Sequence, residues 1–192
     1  MTRREGYVPR NLKLETPRFM SRGLLWFITI IASIFFAVGA LFYIARGSDG
    51  PLEIIAGGPF QSGKTVTGTE NWRFLDEEMT VELQTMNPPS SRTMWLVVTD
   101  NRVFIISSYM NSRIGKLWKK WPHLVAEDNR ALVRSKGLIY PFVLERRLED
   151  PAMPAVLQRF NEKYRTDLTT ENVTSNNTWV FELLPDQAGS GS

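Results

Sequence analysis

From Gly23 to Ala45 the chain runs for twenty-three residues without a charge, GLLWFITIIASIFFAVGALFYIA. At ~1.5 Å of rise per residue such a helix is ~34 Å long, enough to cross a hydrocarbon core of ~30 Å. A helix buried in a soluble domain keeps a polar face, and this one has none. Trp26 and Tyr43 stand near its two ends, where amphipathic rings favour the headgroup level. The run exceeds the ~7–15 apolar residues of a signal peptide, and Ala45-Arg46-Gly47 is a poor cleavage site. The segment therefore reads as a permanent anchor with the lipid bilayer as its first partner.

The flanks orient it. Arg3, Arg4, Arg10, Lys13, Arg18 and Arg22 precede the helix, whereas Arg46 and Lys64 are the basic residues in the twenty positions after it. Basic flanks stay in the cytoplasm, so the expected topology is a single-pass protein of the inner (cytoplasmic) membrane with its C-terminal domain outside the cytoplasm, in a periplasm or its equivalent. The absence of cysteine is compatible with that compartment. Residues 1–22 carry a net charge of +4 and the remainder −1. The pI of about 9.3 thus belongs to the tail. Topology and anionic headgroups account for it, and nucleic acid is excluded as a partner.

The expected organisation is a basic tail over 1–22, the transmembrane helix over 23–45, a flexible link over 46–51, one domain over 52–185 and a disordered end over 186–192. The domain reads mainly as strands. Residues 80–86 alternate in polarity, whereas TMWLVVT (93–99) and RVFIISS (102–108) are rich in β-branched and aromatic residues. Asp100-Asn101 between those two is a hairpin turn. Both strands are apolar on both faces, as in a barrel strand covered outside by a helix or another subunit. Residues 130–134 and 138–146 form a second hairpin around Ser135-Lys136-Gly137, with Pro141 pointing to an edge or a bulge. A last strand over 177–184 is closed by Pro185. Asp150 and Pro151 open a helix whose Val156, Phe160 and Tyr164 share one face. A second helix over 113–121 puts Ile114, Leu117, Trp118 and Trp121 on one face and Arg113, Lys116 and Lys120 on the other, with Pro122 ending or kinking it. The fold class that follows is mainly β: a small antiparallel split β-barrel with two short helices, preceded by one transmembrane helix.

Gly58-Pro-Phe-Gln-Ser-Gly63-Lys64-Thr65 fits the phosphate-loop pattern G-x-x-x-x-G-K-[ST]. That loop must open a helix, and Thr65-Val66-Thr67-Gly68 is poor helix sequence, so the match reads as accidental. His123 is the single histidine. With no cysteine and no acidic cluster at ligand spacing, no metal site is expected. No catalytic constellation stands out either.

From Ser91 onward the chain resembles the split-barrel superfamily of pyridoxamine-phosphate oxidases, other flavin-binding proteins and deazaflavin-dependent nitroreductases. The resemblance is carried by TMWLVVTDNRVFIISS, LWKKWPHLVAEDNRALVRSKGLIYPFVLERRLEDP and TWVFELLP. It implies FMN or a deazaflavin as cofactor, its phosphate held by basic and hydroxyl side chains near the hairpin strands. Ser91, Arg92, Ser107, Ser108 and Lys119 are the candidates for that role. It also implies pairing as a homodimer. Pro88-Pro89-Ser90-Ser91-Arg92 replaces the Gly-Arg-x-Ser-Gly turn of the deazaflavin branch, a departure that favours a barrel without cofactor. Two functional expectations result: an accessory or ligand-binding module among other membrane protein subunits, or a flavin- or deazaflavin-dependent oxidoreductase.

Overall fold

The computed structural model describes residues 21–53, 55–113 and 120–186. Helix α1 spans Arg22–Gly47 and is long and apolar enough to cross a membrane. Trp26, Phe35, Phe36 and Tyr43 are among its exposed side chains. The chain divides into two bodies, residues 1–40 and 41–192, so the last turns of α1 belong with the barrel.

The barrel body contains β1 (Lys64–Thr65), a 3₁₀ helix (Arg73–Glu77), β2 (Val81–Met86), β3 (Pro89–Met94), β4 (Leu96–Thr99) and β5 (Arg102–Ser107). It continues with α2 (Trp121–Leu124), β6 (Arg130–Ser135), β7 (Leu138–Arg147), α3 (Met153–Tyr164), α4 (Thr170–Thr174) and β8 (Trp179–Pro185). The strand order is β3-β2-β6-β7-β8-β5-β4, antiparallel throughout, with β1 added in parallel beside β7. Its two ends, β3 and β4, are halves of one segment separated by Trp95. The first half pairs with β2 and the second with β5, which makes the barrel split.

Alternation along the strands separates two cores. Leu83, Leu96, Val103, Ile105, Val133, Phe142, Phe181 and Leu183 fill the interior with Trp72 and Trp121. Val97, Phe104, Ile106 and Val180 point outward under Met153, Val156, Leu157 and Phe160 of α3. Helix α3 is therefore the cover that the doubly apolar strands called for. Asp100 and Asn101 both have positive φ, +51° and +64°, as a two-residue type I′ hairpin requires.

Several sequence expectations are corrected. The strand expected over 93–99 starts earlier, at Pro89, and breaks at Trp95, because the segment must change partners to close the barrel. The backbone N–H of Leu96 donates to the Tyr164 hydroxyl at 3.0 Å and that of Val98 to Asp76 at 3.1 Å, so the freed groups of β4 are satisfied. Strand β7 is central rather than an edge. Pro141 lies past the residues that β1 pairs, Leu138 and Ile139, and before Phe142, where β8 begins, so its missing N–H interrupts no ladder bond. Helix α3 begins at Met153 with Pro154 in its first turn, two residues later than expected, and the Asp150 carboxylate before it accepts from the Ala152 N–H and from Arg102. Pro122 lies in the first turn of α2. Ile114, Lys116, Leu117, Trp118 and Lys119 of the expected tryptophan helix lie outside the described residues, as do the tail over 1–20 and the end over 187–192.

The segment expected to be a flexible link is tied down. Arg134 bonds Asp49 at 2.6 Å and also pairs with Glu82. The Ser62 hydroxyl donates to Asp49 as well. These bonds hold the Asp49 carboxyl far below the usual carboxylate range. No helix follows Gly63: Lys64 and Thr65 enter β1, and a side chain at Gly63 would strike Ile139. The glycine of the phosphate-loop pattern serves this contact.

Candidate functional site

Strand pairing determines where the site residues lie. Across β2 and β3, Arg92 stands opposite Leu83 and Met94 opposite Val81, so both share the interior face. Ser91 stands opposite Gln84, on the other face. Arg92 thus enters the mouth of the barrel, with its guanidinium carbon 5.5 Å from the centre of the Trp121 ring. Ser107, paired with Trp179 at the end of β5, borders the same mouth.

A cleft of about 1010 Å³ opens there. Arg92, Trp95, Ser107 and Trp121 line it, together with Arg46 of α1 and Lys120. All its lining residues belong to the second body. Its volume suits a small-molecule ligand, and its walls combine aromatic and aliphatic surface with a few polar groups. Among the described residues, the basic side chains that line it are Arg46, Arg92 and Lys120, and the acidic one is Asp167.

Arg92 is the unusual group. Its Nε is buried without a hydrogen-bond partner, and its Nη2 donates to the Ser90 hydroxyl at 3.4 Å. No carboxylate among the described residues pairs with it. Burial pulls its guanidinium down to about 10. The contrast with Arg102 is direct. Arg102 binds Asp150 and Glu182, each at 2.7 Å, and those bonds raise its pKa. A charge removed from water without a counter-charge costs stability.

Of the five sequence candidates, Arg92, Ser107 and Ser108 border the cleft. The Ser107 hydroxyl lies 3.3 Å from the Met110 sulfur. The Thr178 hydroxyl donates to Ser108 at 3.3 Å. Ser91 is fully buried and does not line the cleft. Its hydroxyl donates to the Gly58 carbonyl at 2.5 Å, and its backbone pairs with Gly57. It fastens the segment after α1 to β3. Lys119 lies outside the described residues. Arg46 and Trp95 were missed by sequence reasoning: Trp95 sits inside a strand pattern, and Arg46 ends the apolar run. His123 meets Trp179 edge-on at 4.8 Å.

No family model and no curated protein matches the chain. Among solved structures it is similar to a conserved hypothetical protein from Mycobacterium tuberculosis, 20% identical, over 59% of this chain and 77% of that one, with a TM-score of 0.43. It is also similar to an F420 reductase, 14% identical over 62% of this chain and 96% of that one, with a TM-score of 0.40. A third likeness is to the FAD-binding protein from Mycobacterium smegmatis, 18% identical over 64% and 92%, with a TM-score of 0.37. These are likenesses of fold. The split-barrel architecture rests on the strand order itself.

Proposed function

We propose that this chain is a single-pass, membrane-anchored ligand-binding module, and that the cleft takes a phosphate-bearing ligand through Arg92. The basic tail would lie in the cytoplasm and the barrel outside it, where further membrane subunits or a second copy of the chain are its expected partners. The carrying observation is the Arg92 guanidinium at the barrel mouth, whose Nε is buried without a hydrogen-bond partner and which no carboxylate among the described residues neutralises. Retaining such a group makes physical sense when an anion arrives to neutralise it. The planar fork of an arginine suits phosphate oxygens, and a charge-assisted bond in a half-dry cleft is stronger than one in water. Ser107 and Ser108, which line the same cleft, add hydroxyl groups.

A flavin or deazaflavin phosphate meets the same requirement, with Arg92, Ser107 and Ser108 as the residues that would hold it. When bound, it would supply hydride or electron transfer. That would make the chain an oxidoreductase, whereas the module reading needs no such chemistry.

The test is what the protein carries. The full chain and its Arg92→Met variant are purified from native membranes in a mild neutral detergent, scanned for visible absorption, then denatured and assayed for released phosphorus. The expected result is a phosphate-bearing compound in the wild type, reduced at least tenfold in the variant. A yellow chromophore lost with Arg92 would select the oxidoreductase reading. Equal phosphorus in both proteins would overturn the proposal.

A further inference from the structure

The cleft has a second peculiarity: part of its wall is the end of the apolar helix. Phe42 and Arg46, one turn apart on α1, line it together with Arg92. Arg46 is the first charge after the uncharged run, so in a bilayer it sits at headgroup level, and Phe42 lies a turn deeper. The placement is built into the backbone. The Gly58 N–H donates to the Ala45 carbonyl at 3.0 Å, and Gly57 and Ser91 exchange backbone bonds of 2.9 and 3.1 Å. A side-chain carbon at Gly58 would lie 2.5 Å from the Arg46 carbonyl oxygen, and one at Gly57 would lie 1.8 Å from the Gly50 oxygen. Only glycine lets the helix end approach β3 this closely. This contact brings the headgroup-level arginine and the buried arginine to one cleft.

The remaining walls are amphiphilic in the same sense. Met94, Trp95, Ile106, Trp121 and Leu124 supply apolar surface, and Lys120 adds a third cation. An occupant that matches both features has an anionic phosphate and an apolar body and is available at the membrane surface. We infer that the cleft binds an anionic phospholipid, with its phosphate between Arg92 and Arg46 and its acyl chains toward Phe42. This rests on the proposed phosphate-binding role of the cleft and names its ligand class. Asp167 also lines the cleft and repels an anion, so the phosphate belongs beside the arginines.

The experiment uses the full chain in dodecyl maltoside micelles, with intrinsic tryptophan fluorescence as the readout, since Trp95 and Trp121 line the cleft. It is titrated with dioleoyl phosphatidylglycerol, with dioleoyl phosphatidylcholine and with FMN. Phosphatidylglycerol should bind at least tenfold more tightly than phosphatidylcholine. Arg92→Met and Arg46→Met should each weaken that binding at least tenfold. Arg46 is exposed, so its variant tests the site even if Arg92→Met perturbs the fold. Phosphatidylglycerol binding that both variants leave intact would place the lipid on the basic tail and overturn the inference. Arg92-dependent binding of FMN without such lipid binding would overturn the lipid inference and keep the phosphate-binding reading. Loss of Arg92 dependence for every probe would overturn both.

Discussion

Two arginines on the same barrel show what a single residue decides. Arg102 is paired: it joins Asp150 and the nearly buried Glu182, which also accepts from Arg147 at 2.8 Å. Burial opposes ionisation of Glu182, yet the bonds from the two arginines outweigh it and hold its carboxyl below the ordinary value. Hydrogen bonding to Arg102 holds Asp150 at about 2. Both folded-state pKa values lie below the unfolded ones, so their stabilisation is complete above about pH 4.5 and is lost as pH falls toward 2. Arg102→Leu should cost about 3 kcal/mol at pH 7, the lower end for breaking a buried pair, because Arg147 still reaches Glu182. Urea unfolding at pH 7 and pH 3 should show that cost shrinking in acid. An equal cost at both would show that the ion cluster contributes nothing. The sequence marked Arg92 only through a family resemblance. Its isolation from the carboxylates of the described residues depends on strands far apart in the chain, which no local pattern encodes.

At the scale of elements, legibility followed the range of the forces involved. The Asp100-Asn101 hairpin and helix α3 were readable because two-residue turns and the i, i+4 stripe of Val156 and Phe160 are local. The break at Trp95 was not, since TMWLVVT is good strand sequence throughout. Only closure of the barrel makes it change partners, with Trp95 stacking on Tyr164 at 4.6 Å. Helix α4 was missed although Thr169 and Asn172 form a capping box, because asparagine stands where glutamate or glutamine usually reads as the signal. Helix α1 was legible from length and polarity alone. Its proposed orientation makes the element-scale prediction: protease added to intact spheroplasts should digest the barrel and spare residues 1–22. A barrel that is protected until the membrane is lysed would reverse the topology.

At the scale of the whole barrel body, the end of α1 meets the sheet at Gly57 and Gly58, beside a cleft that holds an arginine without a carboxylate partner among the described residues. The interior and outer cores carry the fold, and Arg92 reaches the interior face at the barrel mouth, over Trp121. A residue kept for the fold and a residue kept for a ligand then respond oppositely to removal. Methionine retains most of the arginine stem and discards the buried charge, at the loss of a cation–π contact with Trp121. The deciding measurement is the melting temperature of ligand-stripped full chain, wild type against Arg92→Met. The variant is expected to gain about 1 kcal/mol, a rise of about 2–4 °C for a protein of this size, while losing phosphate-ligand binding. A variant that melts lower than the wild type would make Arg92 a structural residue and contradict the account.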